Sequence, residues 1–267
     1  MRQESVVGGQ ELIESELSMK LFGKYLVSLS FLLGVGFNAN ASETDQFLAM
    51  DIELGDSTEA LNRYLNEQVA IFLQEQNGRR RSIETPEKLV QKYYRYLFKG
   101  IHSSRFRSWL IHSEELDRYP DETVSYFKYM RMTVHGMGAF PFFLPMARTI
   151  RVGDVYLGVD KIGHFFGFGR RGFENYLKCR ARGLGEGEAL EKVIAHWLLM
   201  ERYLVGNLTD GIHSYGDIEA NFQGLMMARA FCEGDDPYFK RVGGEWILDR
   251  PIDIAPYITP DFDETYN

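Results

Sequence analysis

Asp160-Lys161-Ile162-Gly163-His164-Phe165 and, further along, Asp210-Gly211-Ile212-His213-Ser214-Tyr215-Gly216-Asp217-Ile218-Glu219-Ala220-Asn221-Phe222-Gln223-Gly224 are the stretches on which the reading of this chain turns. Two acids in them stand four residues before a second polar side chain, Asp160 before His164 and Asp217 before Asn221. On a helix each pair therefore shares one face. The neighbours Phe165, Phe168, Phe222 and Leu225 are apolar and turn those faces toward a core. A buried carboxylate, imidazole or carboxamide is unfavourable unless it is satisfied by another such group, a metal or a ligand.

The motifs fall in a pattern of three helices, about Val159 to Ala181, Glu186 to Val205 and Tyr215 to Glu233. Gly183-Leu184-Gly185 and the segment from Gly206 to Ser214 separate them. Short connections favour antiparallel neighbours, so an up-down-up unit makes the first and third helices parallel and sets their polar motifs face to face. Fifteen positions separate His164 from Cys179 and likewise Asp217 from Cys232. In parallel helices that equality brings the two thiols level, roughly 22 Å from the motifs at 1.5 Å rise per residue. A Cys179–Cys232 disulfide is expected, subject to Gly167, Gly169 and Gly172 not breaking the first helix.

Outward from this unit the chain stays mainly α. Leu61, Tyr64, Leu65, Val69, Phe72 and Leu73 recur at helical spacing from Asp56 to Gln76, behind an Asp56/Glu59 capping box. Thr85-Pro86 opens a second helix that stops at Gly100, and helical patterns follow from Arg105 to Glu115 and from Asp121 to Met132. The apolar stretch Met137 to Met146 contains Pro141 and Pro145 and is too short to span a bilayer, so it reads as a buried or interfacial loop. A brief strand is expected within Arg148 to Tyr156, and a small hairpin around Gly243-Gly244. The fold expected is a helical bundle containing the three-helix unit of residues 159–233, ending in an irregular C-terminal tail that wraps it.

The N-terminal region reads as an address. Residues 1–18 carry Glu4, Glu11, Glu14 and Glu16 and look like an upstream extension. From Met19, a basic Lys20 to Lys24 segment, an apolar run from Tyr25 to Phe37 and Ala39-Asn40-Ala41 follow in the order of a secretory signal peptide. Cleavage after Ala41 is expected to leave one mostly helical domain, residues 42–267, in the periplasm. No cysteine follows the apolar run to carry a lipid. A net charge of −8, with Arg79-Arg80-Arg81 as the one basic run, argues against a nucleic-acid partner.

Four readings of the motifs stay open. Asp160, His164, Asp210 and His213, with Glu201 from the middle helix, are residue types that bind a divalent cation such as zinc. His164, with Asp160 to orient it, Asp217 as a further ligand and Asn221 as a substrate or oxyanion donor, could serve a hydrolase. The same groups could form a hydrogen-bonded clamp between helices, or recognise a small polar ligand. Ser214, three residues before Asp217, is a nucleophile candidate and also the first residue of a capping box.

Asp-Lys-x-x-His-Phe followed by Ser-x-x-Asp-x-x-Ala-Asn-x-x-Gly resembles the pattern of VanZ-like proteins and YfiM-like envelope lipoproteins, over about Val159 to Leu225. Asp160, Lys161, His164 and Phe165 match its first half. Asp210, Gly211, Ser214, Asp217, Ala220, Asn221 and Gly224 match its second, with Glu201 as a match to an upstream acid. The resemblance implies a place in the cell envelope, and that location suggests an envelope lipid, peptide or cell-wall component as partner. VanZ-like proteins are membrane-embedded, which this chain departs from in having no transmembrane span after residue 41.

Overall fold

The computed structural model describes residues 44–80, 82–98, 105–133, 146–200 and 214–266, all within one compact unit spanning Ala41–Asn267. Among these residues the fold is mainly helical. Its α-helices are α1 (Thr58–Asn77), α2 (Pro86–Leu97), α3 (Arg105–His112), α4 (Tyr126–Met132), α5 (Val159–Ala181), α6 (Glu186–Met200) and α7 (Tyr215–Ala230). Two antiparallel hairpins complete it, β1 (Thr149–Val152) with β2 (Val155–Gly158), and β3 (Phe239–Val242) with β4 (Glu245–Leu248). No described helix is long and apolar enough to cross a membrane.

Local chemistry explains most boundaries. Pro86 follows Thr85, whose hydroxyl accepts from Lys88 N–H at 3.4 Å and caps α2. Ser125 caps α4 in the same way through Lys128 N–H, so the helix begins at Tyr126 and not at Asp121. The Asp56 capping box does not form. Asp56 instead accepts from Thr58 N–H and from Gly153 N–H, both at 2.9 Å, tying the start of α1 to the β1–β2 turn. At the second hairpin Gly243 and Gly244 take φ of 60° and 92°, the paired left-handed conformation that a tight turn between twisted strands requires.

α5 runs unbroken through Gly167, Gly169 and Gly172 and lies parallel to α7. Along the seam, Lys161 meets Asp217, His164 meets Asn221, Gly169 meets Gly224 and Tyr176 meets Glu233, so positions on both helices rise together. A Cβ on Gly224 would come within 1.9 Å of the Phe165 carbonyl oxygen, and one on Gly169 within 2.7 Å of Gly224 C. The two backbones therefore touch, which only glycine allows. Around this seam Phe72, Tyr93, Tyr94, Phe106, Phe165, Phe166, Phe173 and Phe231 build an aromatic core, each ring contributing on the order of 1.5–3 kcal/mol by burial.

The disulfide is not formed; Cys179 and Cys232 are both free. Contacts such as Lys161 with Asp217 and Tyr176 with Glu233 show that α5 is advanced by about one turn relative to the register in which His164 and Asp217 stand level. Cys179 then overshoots Cys232, which lies beyond the end of α7 and points its thiol at the Ala228 carbonyl, 3.6 Å away. Burial pushes the Cys232 thiol well up, with Glu233 and Glu87 adding to the effect, which disfavours its thiolate.

The C-terminal segment wraps the body as expected. It turns through short 3-10 helices at Ala255–Tyr257, Pro260–Phe262 and Glu264–Tyr266, burying Phe262. Most of the apolar stretch Met137 to Met146, including Phe140, Phe142 and Phe143, lies outside the described residues.

Candidate functional site

Two helix N-termini converge on one buried lysine. β2 runs straight into α5 at Gly158, placing Asp160 in the first turn of α5, and Ser214 caps α7, placing Asp217 in its first turn. Ser214 accepts from Asp217 N–H at 3.0 Å, the first bond of a capping box. Both carboxylates thus sit where the partial positive charge of a helix start favours an anion. Lys161, 0% exposed, reaches between them. Its ammonium group donates to Asp160 Oδ2 at 2.9 Å, to Asp217 Oδ1 at 2.7 Å and to Glu264 Oε1 at 2.8 Å.

The outer contacts hold these acids in place. Thr44 donates to Asp160 Oδ1 at 2.5 Å, and Ser214 donates to Glu264 Oε1. Gln46 accepts from Glu264 N–H and donates to the carbonyls of Tyr156 and Phe262 at 3.3 and 3.2 Å. Segments from both ends of the described chain therefore close around α5 and α7.

His164 does not pair with Asp160 along its own helix. It bridges to α7, with Nε2 3.4 Å from Asp217 Oδ2 and Nδ1 3.3 Å from Asn221 Oδ1. One face of its ring stacks on Phe168, centroids 4.9 Å apart. Beside it is a cavity of about 90 Å³ lined by His164, Phe168, Arg171, Asn175, His196, Trp197, Met200 and Asn221. Trp197 can lie there because Gly172 has no side chain; a Cβ would come within 2.2 Å of the indole.

Electrostatics divide the three acids. Burial alone would raise Asp217, but the charges of His164 and Lys161, with hydrogen bonds from Lys161 and Ser214, hold it below its ordinary value. Glu264 goes the other way: burial, then repulsion from Asp217 and Asp160, outweighs Lys161 and holds it above its ordinary value. Glu264 shares the Lys161 ammonium with two other carboxylates, and their repulsion adds to the effect of its burial. Half-buried Arg107 feels the same charge: burial lowers its pKa and Asp160 opposes that.

Of the expected site residues the structure brings together Asp160, His164, Asp217 and Asn221. Glu201, Asp210 and His213 lie outside the described residues. Among the described residues no three of His, Cys, Asp or Glu are arranged to hold a metal ion. Between the three described carboxylates the cation is the protein's own, the Lys161 ammonium.

Lys161, Glu264, Thr44 and Arg107 are participants that the sequence does not single out. Lys161 sits inside the quoted motif, and its apolar neighbour Ile162 is the one local hint that it turns inward. Thr44 and Glu264 carry no local signal. Comparison with protein-family models, curated proteins and solved structures gives no match.

Proposed function

We propose that this is an exported protein of the cell envelope that works by binding. The cavity beside His164 and Asn221 is its ligand site, and the Lys161 network is the clamp that keeps this site in shape. The observation that carries binding over hydrolysis is the double engagement of His164. A general base held by an acid needs its second ring nitrogen open to a substrate. Here Nε2 faces Asp217 and Nδ1 faces Asn221, so what His164 and Asn221 offer to the cavity is a shaped, polar wall. The envelope location is supported by the basic, apolar and small-residue order of residues 19–41 and by the resemblance of residues 159–225 to the VanZ-like and YfiM-like pattern.

Elemental analysis of the full chain, recovered from the periplasm of a Gram-negative host beside its His164→Ala variant, tests the reading. Neither protein is expected to carry stoichiometric metal, and the N-terminus is expected at Ser42. Near-stoichiometric zinc in the parent that is lost from the variant would replace binding by metal-dependent hydrolysis of an envelope substrate. An uncleaved chain retained in the cytoplasm would remove the envelope assignment.

A further inference from the structure

The wall of the His164 cavity has an unusual charge balance for this chain. The protein has 38 Asp and Glu against 30 Lys and Arg, yet none of the eight lining residues is acidic. Donors dominate instead. Arg171 is held over the Phe168 ring at 5.1 Å, and among the described residues it forms no ion pair with a carboxylate. The other arginines of α5 contrast with it: Arg170 donates to Glu174 at 2.5 Å, and Arg180 to the Leu184 carbonyl at 2.7 Å. Asn175 accepts from Lys178 through its oxygen at 3.4 Å, which leaves its NH₂ uncommitted among the described residues. His196 faces the same space from α6.

Deeper in, Asn221 is buried and lines the cavity, its side-chain oxygen 3.3 Å from His164 Nδ1 and its NH₂ without a protein partner among the described residues. Phe168, Trp197 and Met200 supply apolar walls. A volume of about 90 Å³ matches a few water molecules or one small oxyanion, and is too small for a whole drug-sized molecule. Asp217 is not among the lining residues and pairs with His164, which is.

From Arg171, which forms no ion pair among the described residues, the uncommitted amides of Asn175 and Asn221 and a wall without an acid among the described residues, we infer that the cavity binds the anionic head group, a phosphate or carboxylate, of a small ligand whose apolar body lies against Phe168 and Trp197. Arg171 supplies the charge and a planar fork of donors, fixed in orientation by the ring beneath it. Asn175 and Asn221 take further oxygens. The inference rests on the binding reading above and names the ligand class of that site.

Calorimetric titration of the full chain, with Trp197 fluorescence as a second signal, tests it with four probes: inorganic phosphate, phenyl phosphate, benzoate and the cation benzylamine. Saturable one-to-one binding of at least one anion is expected, weakened at least tenfold in Arg171→Ala and partly restored in Arg171→Lys. Arg171 is exposed and forms no ion pair among the described residues, so these variants are expected to keep the fold; His196→Ala, also at an exposed position, gives an independent loss. Phenyl phosphate or benzoate binding more tightly than inorganic phosphate identifies an organic ligand, and equal affinity for the two phosphates identifies free phosphate. Benzylamine binding as well as the anions, or anion binding indifferent to Arg171, overturns the ligand class while leaving the cavity as a binding site. Failure of all four probes to saturate overturns both.

Discussion

The seam between α5 and α7 is made in two different ways along its length. At the end where both helices begin, Lys161, Asp160, Asp217, Glu264, His164 and Asn221 fill the interface with charge and hydrogen bonds. Two turns on, Gly169, Gly224 and the backbone of Phe165 fill it with almost nothing, and the helices touch directly. The first end is held by satisfaction of groups that would be ruinous alone, and the second by fit. A helix pair locked by charge should respond to protons and to loss of a partner, while one locked by contact should respond to volume.

The sharpest way to break the polar end is Lys161→Met, which keeps bulk and removes the cation from two buried carboxylates and half-buried Glu264. Loss of one partner from such a cluster costs about 3–5 kcal/mol, and urea unfolding followed by circular dichroism reads it directly. A loss below about 1 kcal/mol would mean that the network does not clamp the helices. Gly224→Ala tests the other end. Overpacking typically costs about 1–3 kcal/mol, and with a backbone oxygen as the obstacle the upper part of that range is expected, the same at pH 4.5 as at pH 7.

Proton dependence then separates the ends by sign. Asp217 is held below its ordinary 3.8, so its contribution is present above that pH and is lost as pH falls through its folded value. Glu264 is held above its ordinary 4.5, so its contribution is full below that pH and is lost as pH rises through its folded value. Between them these two groups favour the folded chain most between pH 3.8 and 4.5, with a decline toward neutrality that belongs to Glu264. Urea midpoints of Glu264→Gln should lose the decline above pH 4.5 and keep the fall on the acid side. A variant curve still declining above pH 4.5 would assign that limb to other groups. The smallest effect is expected beyond both ends of the seam, where Cys179→Ser should change stability by less than about 0.5 kcal/mol. Parent melts with and without reductant should coincide, since neither thiol is bridged.

What could be read from residues alone follows the same division. Ser214 with Asp217, Thr85 with Pro86, and Gly243 with Gly244 announce their helix starts and turn because the chemistry acts within four residues. The parallel relation of α5 and α7 follows from three helices joined by short connections. Their offset was not legible, because it depends on Gly169 and Gly224 nesting across the seam, and an equal count of residues to Cys179 and Cys232 carries no information about nesting. Nor was the centre of the site. A lysine in an amphipathic helix looks the same whether it is solvated or buried, and what buries Lys161 is Glu264 and, through Asp160, Thr44, which meet it only after the chain has folded. His164 illustrates the intermediate case: its identity as a site residue is visible, but its partners across the seam, Asp217 and Asn221, replace the neighbour four residues back along its own helix.

The way the Lys161 network is assembled also fixes when it can exist. Lys161 and Asp217 are 56 positions apart, Thr44 and Asp160 are 116 apart, and Gln46 meets the Phe262 carbonyl across 216. Each closure gives up chain entropy before it returns any bonding energy. Local helices and their aromatic contacts can form first, while the charged centre waits for segments distant in sequence to arrive. Bonds made after the rate-limiting step leave the speed of folding unchanged and slow escape from the folded state. If the buried lysine cluster closes after that step, its removal should speed unfolding more than it slows folding.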